Sequence, residues 1–224
     1  MSNQATTDRV IADVVESVER AGIVAVIRIK DPSRLRAVVD AIAEGGIRVL
    51  EITMTVPGAI KVIEEVATRY GKDALVGAGT VLDPETATAC ISSGAQFVVS
   101  PALNLNTIAC CRQRDIAVMP GALTPTEVVQ AWNAGADFVK VFPAGAVGGP
   151  SYLKALKAPL PHIELVPTGG VSLKTAADFI RAGAAALGVG ADLVDINAIR
   201  DGQSALITER AKQFIEIVRE ARAS

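Results

Sequence analysis
The feature that most constrains this chain is a junction it repeats. Four times a helix-like stretch ends in a small residue and a glycine and runs into an apolar strand, as EGGIRVLEI, SGAQFVVS, AGADFVKV and AGAAALGV. The glycines are Gly46, Gly94, Gly135 and Gly183, separated by 48, 41 and 48 residues. Each fits the left-handed position that ends a helix, which glycine adopts without steric cost. Each interval has room for two strand–helix units, so four repeats give eight. Strand-like runs occur at 23–28, 47–53, 75–78, 96–100, 116–119, 137–142, 163–166 and 185–189. Eight alternating units without a composition break predict an α/β fold, a (β/α)8 TIM barrel. An open doubly wound sheet competes, but it calls for a Gly-rich turn after the first strand, where this chain has IRIKDPS.

An extra helix is expected before the barrel, from about Thr7 to Arg20, with Val10, Val14, Val15 and Val18 on one side. Residues 1–6 (MSNQAT) are polar and expected to be disordered, and residues 1–224 are expected to form one domain. Asp31-Pro32, Asp83-Pro84 and Thr124-Pro125 each place a capping side chain before a proline at the first helical position. Glu127, three residues after Thr124, completes a capping box.

A formal net charge of -2 with no basic stripe argues against a nucleic-acid partner. The absence of any bilayer-length apolar run, and of a signal-like start, points to a cytoplasmic protein without membrane contact. Cys90, Cys110 and Cys111, odd in number and set among alanines, read as reduced, buried thiols. The single histidine, His162, follows Pro161 in a loop-like stretch and reads as a surface residue. Chemistry without a metal or cofactor is therefore expected.

In such barrels the active site forms at the C-terminal ends of the strands. The polar residues there are Arg28, Glu51 with Thr53, Thr80, Ser100-Pro101 and Lys140. Lys140 lies in the run DFVKVF, and a strand covered on both faces strips a lysine of its water, making it a candidate nucleophile. Strand alternation says that if Lys140 faces the interior, so do Phe138 and Phe142. Glu51 would be accompanied by Val49 and Thr53, and Arg28 shares parity with Val24 and Val26. Glu51 is as costly to bury as Lys140. One reading is a structural interior ion pair. The other is an amine that condenses with a carbonyl substrate to a Schiff base, with Glu51 moving protons. Arg28 and Thr80 would hold a small carboxylate beside it. Glycines in the last two loops, Gly169-Gly170 and Gly190-Ala191, fit a backbone phosphate site assisted by a short helix after strand 8.

The windows VLEIT, VGAGTVL, VVSP, MPGALTPTE, FVKVFPA, VPTGGV and GVGADLV together resemble the 2-keto-3-deoxy-6-phosphogluconate (KDPG/KHG) aldolase family, in that family's order. The resemblance runs from about Ile23 to Val194. It implies a class I aldolase, a homotrimer of barrels that cleaves KDPG to pyruvate and glyceraldehyde 3-phosphate. It places the Schiff-base lysine on Lys140 and the general acid/base on Glu51. Thr80 matches a contact to the pyruvyl carboxylate, Pro101 and Phe142 pocket walls, and Gly169, Gly170 and Gly190 the phosphate loops. A loop serine common in the family is Ala191 here. A carboxylate-binding arginine of many members is Thr55 here, and a branch with the arginine at the end of strand 1, as Arg28, is the better match. The galactonate epimer and 4-hydroxy-2-oxoglutarate stay open as substrates. Outside the aldolases, a phosphosugar isomerase or epimerase would need paired acids, a cysteine or metal-bound histidines at strand ends. A catalytically silent barrel, a scaffold or sugar-phosphate binder, would leave Lys140 dispensable.

Overall fold
The computed structural model describes residues 2–223. Nine strand segments, all paired in parallel, form one ring: β1 (Ile23–Ile27), β2 (Val49–Thr53), β3 (Leu75–Gly79), β4 (Phe97–Val99), β5 (Ala117–Met119), β6 (Gly121–Ala122), β7 (Val139–Val141), β8 (Leu165–Pro167) and β9 (Leu187–Val189). Two sheets, ordered β5-β4-β3-β2-β1-β9 and β6-β7-β8, make up the ring. They meet where β5 passes into β6 across Pro120, and where β8 and β9 bridge at Thr168–Gly188 and Leu165–Ala184. Proline has no N–H to add to a ladder, so β5 and β6 are one barrel position broken at that residue. The result is the expected eight-position barrel.

Helices α2 (Leu35–Glu44), α3 (Ala59–Tyr70), α4 (Pro84–Ser92), α5 (Leu105–Arg112), α6 (Pro125–Asn133), α7 (Pro150–Lys157), α8 (Ala176–Arg181), α9 (Ile196–Arg200) and α10 (Ser204–Ala223) lie outside the ring. The four repeat glycines have φ of 96–99°, the left-handed value their junctions require. The Thr124 capping box is formed, and Asp83 caps α4 through Thr86 N–H. Asp31-Pro32 opens a 3-10 turn, Pro32–Arg34, that leads into α2.

Strand alternation sorts the core into two layers. Ala25, Ile27, Leu50, Ile52, Val76, Val139 and Val141 pack outward under the helices. Val24, Val49, Phe97, Val99, Ala117, Met119, Phe138 and Val166 fill the interior. Of the neighbours expected for Arg28, Glu51 and Lys140, the interior set includes Val24, Val49 and Phe138. Helix α1 (Ser2–Ala21) adds Ile11, Val14 and Val18 to that interior layer, so it closes the N-terminal end of the ring. The helix begins at Ser2, five residues before Thr7. Met1 and the side chain of Val10 lie outside the described residues. His162 is exposed, edge-on to Trp132, and the three cysteines are buried and free. Burial pushes the Cys90 thiol up to about 11 and the Cys111 thiol up to about 12, which leaves both poor nucleophiles.

Candidate active site
Lys140 and Glu51 meet inside the ring. Their strands are not neighbours, yet both side chains point inward, and Lys140 Nζ stands 3.6 Å from Glu51 Oε1. The residues are 5% and 2% exposed. A buried pair built for stability closes to a charge-assisted hydrogen bond of about 2.7–2.9 Å. Here Glu51 Oε1 accepts no hydrogen bond among the described residues. An unsatisfied buried carboxylate oxygen beside an amine is a poor stabilising device and a good proton acceptor for a substrate lodged between them.

Small residues make the space. Glu51 points at Gly79 on β3, where an added Cβ would lie 2.0 Å from Oε1 and 2.6 Å from Cγ and Cδ. On the same strand, a Cβ on Gly77 would lie 2.4 Å from the Phe97 ring. The two sites differ in what can yield. Phe97 is locked in the packed interior, whereas Glu51 ends in a flexible chain. Gly79→Ala is therefore expected to fold while pushing the carboxylate aside. A displacement of about 1 Å costs on the order of a hundredfold in rate. A kcat within threefold of wild type in that variant would show that the position of Glu51 does not matter.

Other features fix β7. The Asp137 carboxylate, three residues before Lys140, accepts the Val118 N–H at 2.8 Å and pairs with Arg112 at 3.1 Å. Burial raises its carboxyl above the usual range, against the pull of those partners. Half-buried Phe142 places its ring 5.6 Å from Lys140 Nζ, a cation–π distance. The same ring lies 3.5 Å from where a Cβ on Gly169 would sit, so one aromatic wall joins the amine to the glycine loop. Pro101 backs Gly121, whose added Cβ would meet the Pro101 carbonyl carbon at 2.2 Å; Gly121 is the cross-strand partner of Lys140. Thr80, half-buried just past Gly79, has φ of 60°, unusual for a β-branched residue and worth about 1–3 kcal/mol of strain held at the strand end.

Arg28 is exposed at the end of β1 and makes no hydrogen bond or ion pair among the described residues. Buried Thr53 donates its hydroxyl proton to Ile27 O at 3.2 Å, and Thr55 Oγ1 lies 2.7 Å from Thr53 Oγ1. With that proton committed, Thr55 must be the donor to Thr53. The chain of hydroxyls ties the end of β2 to the end of β1 beside Arg28, a link that strand parity only half reveals.

Among the described residues, the N–H groups of Gly169, Gly170, Ala191 and Asp192 donate to no protein acceptor. Gly169 and Gly170 have φ of 81° and 82°, and Gly170 sits so close to Gly145 that a Cβ would lie 2.6 Å from its Cα. Gly190 O accepts from Leu193 and Val194 N–H at 3.0 and 2.9 Å, closing a tight turn. The helix expected to assist here does not. Helix α9 begins at Ile196, and Asp195 already caps its Asn197 and Ala198 N–H groups, so the free donors come from the loops alone. Thr168, missed in the sequence, is buried behind them, its hydroxyl filling the space left by Gly188.

The family model "KDPG and KHG aldolase" matches residues 14–210. The chain is 38% identical over 201 residues, covering 89% of it and 95% of the relative, to a 2-dehydro-3-deoxy-6-phosphogalactonate aldolase of Escherichia coli. It is 32% identical over 205 residues, 92% of it and 97% of the relative, to a 2-dehydro-3-deoxy-phosphogluconate aldolase of Treponema pallidum. A solved structure described as native KDPGal superposes with a TM-score of 0.83 at 34% identity, over 90% of this chain and 96% of the other. A KDPG aldolase from Legionella pneumophila, with pyruvate captured as a covalent carbinolamine, superposes with a TM-score of 0.80 at 31% identity, over 88% and 96%.

Proposed function
The chain belongs to the KDPG and KHG aldolase family and is a lyase, and from that premise we propose that Lys140 and Glu51 carry a class I aldol cleavage of KDPG. The observation that supports the reading best is the 3.6 Å gap between a buried amine and a buried carboxylate oxygen left without a hydrogen bond. Lys140 Nζ adds to the C2 carbonyl, and loss of water from the carbinolamine leaves a cationic imine. Glu51 takes the proton of the C4 hydroxyl as the C3–C4 bond breaks, and the bond's electron pair flows into the imine to give an enamine. Glyceraldehyde 3-phosphate leaves. Glu51 then returns its proton to C3, and water hydrolyses the imine to pyruvate and free Lys140.

In this reading Arg28, with Thr80, takes the substrate carboxylate, a task the guanidinium suits and Thr55 does not. Pro101 and Phe142 wall the pyruvyl half. The free N–H groups of Gly169, Gly170 and Ala191, with Gly190 shaping the turn, take the phosphate. No cofactor enters any step. The higher identity to the Escherichia coli galactonate enzyme favours the C4 epimer as a second substrate. Steady-state rates on KDPG, the galactonate epimer and 4-hydroxy-2-oxoglutarate decide. A phosphorylated acid is expected to show the highest kcat/KM, and a preference for unphosphorylated 4-hydroxy-2-oxoglutarate would defeat the phosphate assignment.

We also propose that residues 1–224 act as one domain within a homotrimer. Leu82 and Leu105, 56% and 52% exposed and joined through Asn104 Nδ2 to Leu82 O, offer an apolar surface for assembly. A cytoplasmic setting fits the three free thiols. No helix among the described residues is long and apolar enough to cross a membrane.

A further inference from the structure
Arg210 reaches from α10 to the loop that follows β9. Its Nη1 donates to the Asp192 carbonyl at 3.0 Å and stands 3.1 Å from Asp195 Oδ2. The helix beneath it is held firmly. Ile207, Ala211 and Phe214 are buried, Thr208 Oγ1 donates to Ala41 O at 3.0 Å, and Gly45 of the α2 end packs so tightly that a Cβ would meet the Ala211 Cβ at 2.4 Å. Arg210 thus hangs from a fixed body and grips a loop whose Ala191 and Asp192 N–H groups donate to no protein acceptor among the described residues.

The grip also changes the charge. The Ala198 and Asn197 N–H groups, and after them Arg210, lower the Asp195 carboxyl below its usual range. Without Arg210, that anion would stand uncompensated three residues from the N–H groups that would receive a phosphate. We propose that Arg210 is a positioning residue for the substrate phosphate. It fixes the turn at residues 190–195 and neutralises Asp195, so that backbone donors can accept a dianion. The proposal rests on the phosphorylated-substrate reading above, and adds a residue that touches neither substrate nor Lys140.

Arg210→Ala is expected to raise KM for the phosphorylated substrate about tenfold, the scale of one lost charge-assisted contact. Inhibition by inorganic phosphate should weaken in parallel. Borohydride trapping of pyruvate on Lys140, which needs no phosphate, should be unchanged, as should kcat. Arg210→Lys should recover part of the loss. Arg210→Ala combined with Asp195→Asn should recover more, because asparagine still caps α9 but carries no charge. Asp195→Asn alone, a milder change that leaves Arg210 in place, should leave KM equal or lower. If wild type discriminates by phosphate and Arg210→Ala matches it, or if pyruvate trapping falls as far as phosphate affinity, the proposal is overturned. If wild type itself ignores the phosphate, the phosphorylated-substrate reading fails first and this proposal with it.

Discussion
Lys140→Ala is expected to lose all borohydride-trappable pyruvate adduct and to lower cleavage by at least about 10⁴-fold, since among the described residues no other amine pairs with Glu51 to take over the covalent step. Part of the loss could be mistaken for unfolding. Removing one partner of a buried pair leaves the other charge uncompensated, at a cost of about 3–5 kcal/mol. The measurement therefore needs a thermal melt beside the trapping assay, and a second variant, Lys140→Met, that keeps most of the side-chain volume. A folded Lys140→Met protein that still forms the adduct would place the imine on another lysine and overturn the assignment. A folded variant with unchanged pyruvate release would favour the silent-barrel reading.

Glu51→Gln should separate the two halves of the chemistry. Glutamine keeps the shape between Gly79 and Lys140 but cannot carry a proton, so cleavage should fall by about 10²–10⁴-fold, the usual worth of a general acid–base group. Imine formation depends on the amine and should survive, giving an adduct with pyruvate in yields near wild type. Exchange of the pyruvate methyl protons with deuterated water reports the enamine protonation alone, and should fall with cleavage. Trapping that fails as fully as in Lys140→Ala would show that Glu51 is needed to build the imine. Exchange at wild-type rates would show that another group moves the proton.

Much of this geometry is legible in the sequence. Lys140 and Glu51 stand out because an ionisable side chain inside an apolar strand needs a reason, and alternation then assigns both to the same interior as Phe138 and Val49. The repeat glycines were legible for the same kind of local reason, a left-handed junction that few residues tolerate. What was hidden depends on register and long-range contact. Nothing local says that Gly79 faces Glu51, because that follows from how β2 and β3 align, Thr53 beside Gly79. Arg210 lies 18 residues beyond the carbonyl it holds, on a helix whose polar face reads as plain solvent-facing charge. The short helix after the last strand was placed correctly, but its N-terminus serves Asp195, a local cap that outcompetes any ligand for the same N–H groups.

The helix Ser2–Ala21 plugs the base of the ring with Ile11, Val14 and Val18. With that end closed, the proposed chemistry has the mouth formed by the strand-end loops as the way in for substrate and the way out for both fragments. In the proposed mechanism the three-carbon keto fragment stays tethered to Lys140 until water frees it, so the aldehyde is expected to go first and traffic through the barrel to run in a fixed order of exits.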